Sequence, residues 1–98
     1  MEETQNYFVT TIANELKRVE VERTEDTEQI ITDSMERITH LELAYNQLTL
    51  SLKDNSDDQR IIMAMIDNFQ QRIEILQSLL IQIEDVKTLK TQNNEEYV

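Results

Sequence analysis

His40 is the one histidine of the chain, and it follows Glu36 by one helical turn. A His and a Glu at that spacing share a helix face and can help to hold a metal ion. Di-iron bundles need more: Glu-x-x-His motifs on two helices and further inward Glu residues. Here Arg37, not Glu, stands three residues before His40. His40 therefore reads as a solvated residue on the polar side of its helix, and no metal is expected. A Ser-His-Asp arrangement has one candidate base, and Cys-His chemistry has no nucleophile, because there is no Cys. Glu84 and Asp85 are adjacent in sequence, but adjacent helix residues point about 100° apart and do not form a working carboxylate pair. A phosphate-cradling loop needs glycine, and the chain has none. No catalytic residue and no cofactor are expected, so the chain reads as non-enzymatic. Met35, Met63 and Met65 could form an adaptable binding surface, though core filling beside a turn is the simpler reading.

The elements that carry these residues are set by composition. Gly, Pro, Cys and Trp are all absent. Gly and Pro are the main means of tight turns and chain breaks, so a compact sheet protein would be hard to build from this chain. Long helices with short connections need neither. The aromatic residues are Tyr7, Phe8, Tyr45, Phe69 and Tyr97; the remaining apolar content is mostly Ile, Leu, Val and Met. That mix suits a narrow helix seam. The expectation is an all-α, coiled-coil-like single domain over residues 1–98.

The last helix, expected over about 57–91, has the clearest periodicity. Ile62, Ile66, Phe69, Ile73, Leu76, Leu80 and Ile83 alternate spacings of four and three, a heptad seam. Ser56 with Gln59 matches a capping box, and Asp57 and Asp58 fall in the first turn, where the macrodipole favours anions. The middle helix, over about 27–53, repeats the pattern with Ile31, Ser34, Ile38, Leu41, Tyr45, Leu48 and Leu52. Ser34 is the polar member of that seam. Between the two lies Lys53-Asp54-Asn55-Ser56, whose Asp and Asn tolerate the left-handed conformation. A link this short predicts an antiparallel hairpin. Counting from the turn pairs Leu48 with Ile62, Tyr45 with Ile66, Leu41 with Phe69 and Ile38 with Ile73.

The first helix, over about 4–22, carries one stripe of Phe8, Ile12, Leu16 and Val19. Its connection to the middle helix admits two readings. Asp26 with Gln29 matches a second capping box, which would break the chain and fold the first helix back as a three-helix bundle. Against this, seam phase is kept from Val19 through Arg23 and Asp26 to Ile30, and Thr and Asp are only mildly unfavourable in a helix. The kept phase favours a continuous helix. The polar tail, residues 92–98, is expected to fray.

Charge limits the partners. The net charge is −11, with 20 acidic and 9 basic residues. Direct binding to a nucleic-acid backbone or an anionic membrane surface needs clustered Lys and Arg, so neither is expected. The longest apolar run, Ile61 to Ile66, is far shorter than the roughly 20 residues of a spanning helix. The acidic start, Glu2-Glu3-Thr4-Gln5-Asn6, lacks the basic and apolar regions of a signal peptide, which leads to a cytoplasmic expectation. The Trp and Gly that mark secreted helical hairpins are both missing.

The final helix stays apolar to Leu89, beyond the reach of its hairpin partner. Phe8, Ile12, Leu16, Val19, Leu79, Val86 and Leu89 are therefore the candidate surface for a partner or for a second copy. The leading expectation is a helical interaction or assembly module that forms a homodimer through its heptad seam. A helical protein partner, as for a chaperone of one helix, is a related expectation. A different one is an acidic inhibitor that mimics nucleic acid in a basic groove. Such a mimic gathers its carboxylates on one long face, whereas Glu15, Glu22, Asp33, Glu42, Asp67, Glu74 and Glu84 are dispersed around several faces.

Overall fold

The computed structural model describes the backbone of residues 2–96 and the side chains of residues 3–91. It contains three helices: α1 (Glu2–Val21), α2 (Glu28–Asp54) and α3 (Gln59–Glu96). Helix α3 continues to Glu96, through most of the tail expected to fray; residues 97–98 lie outside the described residues. At 1.5 Å per residue its 38 residues span about 57 Å, close to the full 64 Å length of the molecule. Both α1 and α2 pack along α3 and scarcely approach each other. Helix α2 runs antiparallel to α3, as its short connection requires: Tyr45 meets Phe69, and Asn68 Nδ2 donates to the Leu41 carbonyl at 2.8 Å. Helix α1 runs parallel to α3. Phe8 stacks on Phe69, Glu22 reaches Lys87, and Asp26 reaches Lys90, so both chains advance together.

The expected continuity of the first two helices is not found. The chain breaks over residues 22–27 and α1 folds back, giving a three-helix bundle. The physical reason lies in Thr27, which is 2% exposed. Its hydroxyl donates to the Glu22 carbonyl at 2.9 Å and accepts the Thr24 N–H at 2.8 Å. These bonds take up backbone groups that a continuous helix would pair within itself. Arg23 clamps the corner from outside, with two bonds to Glu20 at 3.0 Å and one to Glu28 at 2.9 Å. The Asp26–Gln29 capping box does not form. Thr27 takes the N-cap place, its carbonyl accepts from Ile31 N–H, and its side chain serves the connection rather than the helix.

The second connection also departs from expectation. No described residue has positive φ. Asn55 closes α2 at φ −138° and ψ 57°, with its N–H bonded to the Leu52 carbonyl and its Nδ2 to the Ser51 carbonyl. Two of the orphan carbonyls that end a helix are thus satisfied without a left-handed residue. Helix α3 starts at Gln59, not 57. Asp58 is its cap in place of Ser56, with Oδ1 accepting the Arg60 N–H at 2.9 Å. Arg60 holds the Asp58 carboxyl below the usual carboxylate range.

The core runs along the line where α3 faces both other helices. Phe69, Leu76, Leu79 and Ile83 of α3, Ile31 and Ile38 of α2, and Val19 of α1 are each at most 2% exposed. The most buried line of α3 is Met65, Phe69, Arg72, Leu76, Leu79 and Ile83. It is rotated from the expected seam, whose members Ile62, Ile66, Ile73 and Leu80 are half-buried. The rotation follows from having two partners. Leu80 shares a shallow pocket with Arg18 and Val21, so its flank, with Ile73 one heptad earlier, carries α1. Ile75 shares one with Arg37, so the opposite flank carries α2.

Candidate functional site

The residues expected to build the hairpin core divide between two environments. Ile31, Ile38, Phe69, Leu76 and Ile83 are buried, as is Ser34. Leu41, Tyr45, Leu48, Leu52, Ile62, Ile66, Ile73 and Leu80 are half-buried. Of the candidate partner surface, Phe8, Ile12, Val19 and Leu79 are buried within the chain, because α1 itself covers α3. Leu16 and Val86 are half-buried, and Leu89 is 60% exposed. The polar segment that faces the end of α3 is joined to it by ion pairs. Lys87 Nζ donates to Glu22 Oε2 at 3.0 Å and Lys90 Nζ to Asp26 Oδ2 at 2.8 Å. These partners raise both ammonium pKa values. Carboxylates that would otherwise crowd the connection are thus spent on lysines and on Arg23. His40 is exposed, and no three His, Asp or Glu side chains gather at metal-binding distance among the described residues. No helix is long and apolar enough to cross a membrane, again among the described residues.

Two features remain open. The first is the tip of the α2–α3 hairpin. Counting along the parallel pair from Phe8 on Phe69, the start of α1 lies level with about Met63, so the hairpin end projects past it. Leu48, Leu52, Ile61 and Ile62 there are half-buried, and Leu50 and Met63 are 61% and 62% exposed. None of them, nor Met65, belongs to the main core cluster. This end also carries little charge: residues 44–66 hold three acids and two bases, a net −1 within the total of −11.

The second is a cleft between α1 and α2, with a volume of about 230 Å³. Gln5, Val9, Glu42, Tyr45, Asn46, Phe69 and Arg72 line it. Gln5 Nε2 donates to the Tyr45 hydroxyl at 2.8 Å and bridges the two helices. At its base lies Arg72, which is 8% exposed. The guanidinium carbon sits 4.6 Å from the Phe69 ring centre and 5.3 Å from that of Tyr45, a two-ring cation–π contact. Its Nε and Nη2 are buried with no hydrogen-bond partner among the described residues. Burial pushes the guanidinium pKa below its ordinary value; the negative charge of Glu42 acts the other way. One turn earlier, Asn68 Oδ1 is also buried without a partner among the described residues.

Sequence reasoning missed Asn68 and Arg72 because both are polar and the half-buried flank beside them is wholly apolar. A signal was present. Met65, Phe69, Arg72, Leu76, Leu79 and Ile83 keep the four–three spacing as strictly as the line from Ile62 to Ile83 through Ile66, Ile73 and Leu80, and Arg72 is its one charged member. No protein-family model matches the chain, and neither does any curated protein or solved structure compared with it.

Proposed function

We propose that this chain is a non-enzymatic helical assembly module that pairs with a second copy of itself through the tip of the α2–α3 hairpin. The observation that carries this reading is the uncovered end of the seam. Leu48, Leu52 and Ile62 continue the heptad pattern beyond α1, with Ile61 half-buried next to them, and Leu50 and Met63 stand exposed beside them. Apolar surface left in water forgoes roughly 25 cal/mol for each Å² that could be buried. Singly exposed residues elsewhere, such as Val21 and Ile81, are ordinary for a protein surface. Charge supports a second copy as the occupant. Two acidic chains repel each other, and the tip carries only −1 of the total −11, so little repulsion opposes a contact there. A two-fold contact there would also let Lys53 and Arg60 of each copy approach Asp54 and Asp57 of the other.

Sedimentation equilibrium at micromolar concentration tests the reading. A dimer is expected, converted to a folded monomer by Leu50→Glu with Met63→Glu. These two residues are exposed, so the double variant keeps its helical content and its melting temperature when dilute. A parent chain that stays monomeric at those concentrations refutes the reading, as does a double variant that remains a dimer.

A further inference from the structure

The cleft beneath Gln5 holds the features of a small-molecule site that the assembly reading does not use. Its base is a cation shut off from water with two unpartnered N–H donors, Arg72 Nε and Nη2. These atoms form one edge of the guanidinium, the geometry that grips the two oxygens of a carboxylate side by side. Val9, Tyr45 and Phe69 give the lining its apolar and aromatic part, beside the polar Gln5, Glu42, Asn46 and Arg72. Amides of Gln5 and Asn46 stand at the same cleft and can bond a ligand oxygen. We propose that the cleft binds a small monocarboxylate with an apolar, preferably aromatic, body, its carboxylate on the Nε–Nη2 edge of Arg72.

Each part of that description follows from a residue. A buried arginine without a partner is unfavourable, and an anion that reaches it regains both hydrogen bonds and charge neutrality. Glu42 does not supply that anion. It lines the cleft but is exposed and forms no ion pair with Arg72. Its charge beside the cleft, within a chain of net charge −11, weighs against a dianion such as a phosphate monoester and for a single negative charge. A volume of about 230 Å³ is below the usual range for drug-sized ligands and admits one small ring or short chain. Both donors are enclosed, so a carboxylate reaches them only when side chains at the cleft move; Gln5, bonded to the Tyr45 hydroxyl where α1 and α2 hardly touch, can do so by a rotamer change.

Sodium benzoate serves as the probe and benzamide, its neutral analogue, as the control. Titration of the full chain, followed by two-dimensional NMR of the Arg72 Nε–H and of the Gln5 and Asn46 side-chain amides, reads the site directly. Saturable shifts at these groups are expected with benzoate, at least tenfold weaker with benzamide. Arg72→Met keeps the volume and removes the charge. It is expected to fold, to melt at or above the parent temperature, and to lose the benzoate shifts. Val9→Trp fills the mouth from an exposed position and is expected to block binding with the core untouched. Equal shifts with both probes overturn the proposal. So do shifts that persist in the Val9→Trp variant, or the absence of saturation at millimolar benzoate. The assembly reading stands or falls separately, because the substituted residues here, Val9 and Arg72, lie outside the hairpin tip, and its own test rests on Leu50 and Met63.

Discussion

Replacing Thr27 with valine keeps the shape of a fully buried side chain and removes one oxygen. That oxygen accepts the Thr24 N–H at 2.8 Å and donates to the Glu22 carbonyl at 2.9 Å. Valine strands one backbone donor and one acceptor inside a corner that closes with α1 folded back. A buried group left unpaired costs about 1–3 kcal/mol, and two groups at a partly wet corner set an expected loss of about 2 kcal/mol. For a domain of this size 1 kcal/mol moves the melting temperature by roughly 4–8 °C, so a fall of about 8–16 °C is expected. Urea unfolding followed by circular dichroism gives the free energy, and a thermal scan gives the temperature. The variant should not straighten into one long helix, because Phe8, Ile12 and Val19 still have their places on α3. Small-angle scattering checks this: the radius of gyration should stay near that of the parent, whose Cα value is 17.3 Å. A loss below about 0.5 kcal/mol, the range of ordinary surface substitutions, would show that the hydroxyl is not what holds the corner. A lengthened particle would show that the break was held by Thr27 alone and not by the docking of α1.

Two further outcomes test the core and the cap. Leu76→Asp places an unpaired charge at a position with no exposure and is expected to abolish the thermal transition, whereas exposed Glu42→Ala should shift it little; equal small shifts in both melts would mean the core line is misplaced. Asp58 has its carboxyl held low by Arg60, so its contribution is present above its ordinary pKa and lost as pH falls through the folded value. Asp58→Ala should therefore melt below the parent at neutral pH, with the gap narrowing as acid protonates the parent's Asp58, and a gap unchanged by acid would exclude the cap.

The helices were legible because Ile, Leu and Phe recur at four–three spacing through Ile31–Leu52 and Ile62–Ile83, and because no Gly or Pro interrupts them. What periodicity could not supply was the rotation of α3. A helix with one partner buries the centre of its apolar stripe. A helix with two buries the line between them, and here that line contains Arg72. The flanking Ile66, Ile73 and Leu80 are more uniformly apolar than the centre, so they drew the seam toward themselves. The break after α1 was hidden for a different reason. Every residue of 22–27 is polar, and the break rests on the bonds of the Thr27 hydroxyl together with the docking of Phe8, Ile12 and Val19 on α3, neither of which periodicity shows. Asp26 and Gln29 carry the pattern of a cap, yet Thr27 holds the position. The cleft was invisible for the same reason as the rotation, since a lone Arg at residue 72 reads as a solvated side chain until both neighbouring helices are in place.

Both corners are turned with no described residue at positive φ. Each connection is thus made of conformations open to any L-residue, and the whole chain dispenses with glycine. That has its effect on the denatured chain rather than on any contact. A residue with a Cβ explores fewer backbone states than glycine, and each such replacement at a compatible site stabilises a fold by about 0.4–1 kcal/mol through lower unfolded-state entropy. A slender bundle with little core per residue gains from a denatured ensemble that is already narrowed along its entire length.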